Sequence, residues 1–119
     1  MSDKMDPRQA AVDLLDAVLG QGQLFAQVVA DTTGPLAKVD GPTRARAQRL
    51  ALSVLRQVEP VDAALAPMLR RPPPLRLRNI LRLAVVELAQ GGAPHGVVNA
   101  AVALVRQGKR TQHLSGLVN

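Results

Sequence analysis

The sequence predicts an all-α domain, and three observations carry that prediction. Apolar residues recur at spacings of three and four, and no segment alternates with period two. Asp-Pro and Gly pairs punctuate the periodic stretches where helices would start and stop. The core must also be built almost without rings: 47% of the 119 residues are hydrophobic, yet Phe25 is the one aromatic residue and there is no Trp, Tyr or Cys. Leu, Val and Ala suit close-packed helices better than sheets, where aromatic and β-branched pairs carry much of the stabilisation. The expectation is one helical bundle of about seven helices with short connections. Residues 1–7 are read as an N-terminal tail and 8–119 as the domain, long enough to bury about two-thirds of its unfolded surface.

Each element has a local reason. Asp6-Pro7-Arg8-Gln9 opens the first helix, with Asp as N-cap and Pro at N1, and Ala11, Leu14, Leu15 and Val18 follow at helical spacing. Gly20 and Gly22 stop it. A second helix spans Leu24 to Ala30, ended by Thr32-Thr33-Gly34-Pro35. Asp40-Gly41-Pro42-Thr43 starts a third. Its apolar stripe is Ala47, Leu50, Ala51, Val54 and Val58, and Arg46, Arg49, Ser53 and Arg56 line the other side. A short helix from Pro60 to Leu69 is broken by Arg70-Arg71-Pro72-Pro73-Pro74, too rigid for a helix interior. Leu77, Ile80, Leu81, Ala84 and Leu88 define a fifth helix with Arg78 and Arg82 on its polar side. Gly91-Gly92 ends it. Pro94 begins a sixth that is apolar nearly all round and therefore expected to be the most buried, closed by Gly108. Leu114 to Val118 begins a last helix.

Charge points to a partner. The net charge is +6, but residues 1–40 carry six acids against three bases, and residues 41–119 carry twelve bases against Glu59, Asp62 and Glu87. Such asymmetry predicts a polyanion. Catalysis and metal binding are not expected of this chain. There is no Cys nucleophile, Ser2 and Ser53 have no His nearby in sequence, and Ser115 lies in the terminal segment. His95 and His113 lack the i, i+4 partner of a helical metal site. No GxGxxG or GxxxxGK[ST] loop is present to cradle a nucleotide cofactor. No apolar run approaches the roughly 18 residues of a membrane span, no signal layout opens the chain, and the absence of Cys suits a reducing cytosol. A cytoplasmic, monomeric domain without membrane contact is expected. His95 and Asn99, four apart on one helix face, are expected to be structural fittings that satisfy a buried loop rather than parts of a site.

Several segments together resemble the NusB-like helical domains. Pro94-His95-Gly96-Val97-Val98-Asn99-Ala100-Ala101-Val102 is similar to their P-x-H-A-A-V-N-E-A-V run, with Gly96 and Ala100 departing from it. Ile80-Leu81-Arg82-Leu83-Ala84-Val85-Val86-Glu87-Leu88 resembles I-L-R-L-A-x-x-E-L, with Val86 where an aromatic is common. Leu55-Arg56, Val61-Asp62 with Leu65, Leu69-Arg70-Arg71-Pro72 and the terminal Gly116-Leu117-Val118-Asn119 fit the same pattern in unbroken order over about residues 8–119.

Within these domains the chain looks like the N-terminal domain of ribosomal RNA cytosine-C5 methyltransferases of the RsmB (Sun/Fmu) type. The free-standing antitermination factors are the alternative, but they tend to have an arginine-rich first segment where this chain is net acidic. The resemblance implies ribosomal RNA as partner, together with a C-terminal methyltransferase domain that would bind S-adenosylmethionine and supply catalytic cysteines. It also implies a framework role for His95 and Asn99, no cofactor in this chain, and a piece of a longer protein ending at Asn119. The candidate RNA contacts are Arg46, Arg49, Arg56, Arg70, Arg71, Arg78 and Arg82. A third reading is a packing module that orients the catalytic domain without touching RNA.

Overall fold

The structure, a computed structural model, describes residues 6–31, 33–37 and 39–108. They form six α-helices and no strand, as the apolar spacing predicts: α1 (Pro7–Leu15), α2 (Phe25–Ala30), α3 (Gly41–Arg56), α4 (Val58–Leu65), α5 (Leu75–Ala89) and α6 (Pro94–Gln107). The expected last helix at Leu114 to Val118 lies outside the described residues. Backbone contacts divide the chain into two compact units, residues 1–55 and 56–119.

In the first unit, local chemistry sets the helix starts. The Asp6 carboxylate accepts from the Arg8 N–H at 3.0 Å with Pro7 in the first turn, so an otherwise orphaned donor is satisfied. Asp40 does the same for α3, accepting from the Thr43 N–H at 2.9 Å. α1 buries Ala10, Ala11, Val12, Leu14 and Leu15 and packs on the six-residue α2. It continues into a π-helical turn, Asp16–Gly20, which rotates the chain so that Leu19 is left exposed. α3 buries Ala47, Leu50, Ala51 and Val54, four of the five residues of the predicted stripe, and Leu50 contributes roughly 1.5–3 kcal/mol on burial. The fifth, Val58, falls in α4 and is half-buried because α3 ends at Arg56.

Arg44 carries no distinguishing signal in the sequence, yet it holds this unit's connection in place. Its guanidinium donates to the carbonyl oxygens of Val29 at 2.6 Å and Leu36 at 2.9 Å. The Val29 carbonyl lies in the last turn of α2, where no intrahelical donor remains for it.

In the second unit, α4 begins at Val58, two residues before the expected Pro60. Proline is tolerated there because the first turn needs no N–H from it. α4 ends in a 3₁₀ turn, Ala66–Met68, and Leu69 adopts extended backbone ahead of the arginines and prolines. α5 packs on α6 and α4. It is the more enclosed helix of the two longest in this unit, and here two expectations fail. α5 buries Leu77, Asn79, Ile80, Leu81, Arg82, Leu83, Val86 and Glu87, whereas Leu88 is exposed and Ala84 half-buried. The apolar stripe therefore describes only its first half; toward the C-terminus the buried side turns onto Leu83, Val86 and Glu87.

α6, expected to be buried nearly all round, is amphipathic. Val97, Ala101, Val102, Leu104 and Val105 face inward, Val98 is half-buried, and His95, Gly96, Asn99 and Ala103 are exposed. Small residues make an exposed face look apolar in sequence because alanine and glycine cost little in water. The α5–α6 connection follows its glycines. Gly91 has φ of 88°, the left-handed region, and its N–H and that of Gly92 bond back to Leu88 and Glu87. This double bond caps the helix carbonyls, the arrangement that favours glycine just past a helix end.

Candidate functional site

Two groups of arginines stand out once the helices are placed. The first lies along α3. Arg46, Arg49 and Arg56 are three and seven residues apart, so they share one face opposite the buried stripe, and all three are exposed. α3 contains no Asp or Glu, so no carboxylate at i±3 or i±4 within the helix neutralises them. Arg46 and Arg49 are like-charged neighbours one turn apart, an arrangement that costs a few tenths of a kcal/mol in an isolated helix. A row of cations that stability does not ask for is an electrostatic footprint.

The second group surrounds a cleft of about 300 Å³ in the second unit. Leu65, Ala66, Leu69 and Pro72 make its apolar lining, Arg70, Arg71 and Arg78 its basic rim, and Asp62 joins from α4. Arg70 and Arg71 are exposed and Arg78 is half-buried. The 3₁₀ turn, the extended Leu69 and the three prolines carry Arg70 and Arg71 out of the helical register, while Arg78 reaches the cleft from the first turn of α5.

Arg82 does not belong with them, although the sequence placed it on the polar side of its helix. It is 6% exposed. Nε and Nη2 donate to the two Asp62 carboxylate oxygens at 2.8 and 2.7 Å, and Nη1 donates to the buried Asn79 Oδ1 at 2.9 Å. The guanidinium is thus a bidentate tie between α4 and α5, with each of its three nitrogens donating one bond. Hydrogen bonding from Arg82, reinforced by the nearby positive charges of Arg82 and Arg78, holds the Asp62 carboxyl below the usual aspartate range despite some desolvation. No signal in the α5 sequence could reveal this; the partner is 20 residues upstream.

His95 and Asn99 also differ from expectation. Both are exposed on the outer face of α6, so neither satisfies a buried loop. No buried side-chain nitrogen or oxygen among the described residues lacks a partner, so the interior asks nothing of them. Nor do the described residues include three or more His, Asp or Glu side chains grouped to hold a metal ion. No helix among them is long and apolar enough to cross a membrane.

Fold and surface together define an all-helical basic domain with arginines aimed at solvent. The NusB family model matches residues 5–119, nearly the whole chain, and the protein belongs to the NusB family. No curated protein and no solved structure matches it.

Proposed function

We propose that this chain is a non-catalytic RNA-engaging domain of a ribosomal RNA cytosine-C5 methyltransferase. In that reading it holds RNA by its phosphates while a separate S-adenosylmethionine-dependent domain acts on the target cytosine. The observation that carries RNA engagement is the row of exposed, intrahelically unneutralised arginines on α3. A guanidinium offers a planar fork to phosphate oxygens and is weakly hydrated, so each contact loses little in desolvation. Membership of the NusB family supports the RNA class. The methyltransferase branch is favoured over a free antitermination factor by the Leu55-Arg56 and Leu69-Arg70-Arg71-Pro72 segments and by the net acidic first forty residues. The chain itself, without a thiol or a glycine-rich nucleotide loop, has no group suited to bind the methyl donor or attack a base.

With no aromatic platform on α3, binding rests on charge and shows little sequence preference. Affinity for single-stranded RNA then falls with salt, by about 0.7 log unit per log unit of salt for each phosphate neutralised. Replacing Arg46, Arg49 and Arg56 together by Gln is expected to flatten the log–log slope by about 2. All RNAs should weaken alike while the melting temperature moves by no more than a few degrees, since surface changes rarely exceed about half a kcal/mol each. A triple variant that binds like the parent protein would remove the RNA assignment and leave a domain that only packs against its neighbour.

A further inference from the structure

We propose that the cleft of the second unit is a subsite for a single unpaired nucleotide, with phosphate on its arginine rim and base against its apolar lining. The proposal rests on the RNA-binding reading above but concerns residues that the α3 row does not include. Size comes first. At about 300 Å³ the cleft stands at the lower bound of small-ligand pockets, which suits one nucleotide and not a folded stretch of RNA.

Charge is the second argument. The lining contains three arginines and one carboxylate, and that carboxylate is already committed: both Asp62 oxygens accept from Arg82. The Asp62–Arg82 pair is neutral as a unit, so Arg70 and Arg71 face the cleft uncompensated by it, and Arg78 shares the Asp62 carboxylate with Arg82. An anion entering there meets three cations and a masked acid. The third argument is the division of chemistry within one cavity. Leu65, Ala66, Leu69 and Pro72 offer an apolar surface that free phosphate cannot use, and a base or sugar can. Arginine beside such a surface also stacks on an unpaired base. Finally, Pro72-Pro73-Pro74 fixes three successive φ angles directly after the arginine pair, so less backbone freedom is lost when a ligand is bound.

The test uses the whole chain, isotopically labelled, and follows backbone amide signals during titration with uridine 5′-monophosphate, uridine or inorganic phosphate. The nucleotide should move the signals of Leu65, Leu69, Arg71 and Arg78, and bind at least tenfold more tightly than either fragment. Arg70→Gln with Arg71→Gln should lower that affinity at least tenfold at unchanged melting temperature. The Arg46, Arg49 and Arg56 triple variant should leave it unaltered. Phosphate binding as tightly as the nucleotide would overturn the inference, because the apolar lining would then contribute nothing. Tighter binding of a short acidic peptide would also overturn it, in favour of a protein partner. If the nucleotide leaves the cleft untouched while the triple variant still flattens the RNA salt slope, the subsite falls and the RNA-binding reading stands. If neither responds, both fall.

Discussion

Breaking the Asp62–Arg82 tie from its two ends should have unequal consequences. Asp62→Ala leaves the Arg82 guanidinium, whose side chain is 8% exposed, without the carboxylate that accepts two of its bonds. Arginine cannot shed its proton to escape burial, so the cost should fall in the range of about 3–5 kcal/mol seen when one partner of a buried pair is removed. Arg82→Met removes the buried cation itself and refills most of its volume. It leaves Asp62, 35% exposed, able to recover water, and it costs the buried Asn79 one donor. That variant should lose only about 1–3 kcal/mol, the penalty for groups left unpaired. The double variant should resemble Arg82→Met alone, because once the cation is absent the carboxylate has little left to lose. Urea denaturation at constant slope would supply all three values. Acid should narrow the difference. The folded-state pKa of Asp62 lies below its ordinary 3.8, so the pair's contribution is fully present above that value and is lost as pH falls through the lower, folded one. If Asp62→Ala proves the milder change, or its deficit is the same near neutral pH and well below the folded-state pKa of Asp62, the account of the tie is wrong.

The glycine connection gives a second expectation. Alanine at Gly91 must adopt a φ of 88° and should cost about 1–2 kcal/mol, while a Cβ at Gly92 would sit 2.8 Å from the Glu87 carbonyl oxygen and force the cap apart; thermal melts of both variants would measure this. A third concerns α6: Asn99→Leu and His95→Ala should each change stability by less than about 0.5 kcal/mol, since both positions are exposed. A larger loss in chemical denaturation would mean that these side chains have a structural partner after all.

Which features could be read from sequence follows the range of the interaction responsible. Asp6-Pro7, Asp40 with Thr43, and Gly91-Gly92 announce helix ends because capping is settled within four or five residues. The exposed face of α3 was legible for the same reason: three arginines recur opposite an unbroken apolar stripe. Arg82 was not, because an arginine on a helix looks alike whether it meets water or a distant aspartate. The burial of α6 was overestimated because Gly96 and Ala103 count as apolar in a pattern although solvent tolerates them. The cleft was invisible as a unit, since its lining joins α4, a 3₁₀ turn, an extended segment and α5. Only the arginine–proline composition marked the place.

Arg44 has a consequence for how the first unit opens. α2 is six residues long, too short to persist as an isolated helix in water, and its last turn is closed by a side chain from the helix that follows. The same guanidinium binds the Leu36 carbonyl, so the end of α2, the intervening connection and the first turn of α3 share one fastening. They should therefore come undone together. In native-state hydrogen exchange, amides at the end of α2 and the start of α3 should report one common opening instead of a graded fraying. Replacing that guanidinium should loosen the whole segment at once, although Arg44 is half-buried and stands apart from the exposed arginines of α3.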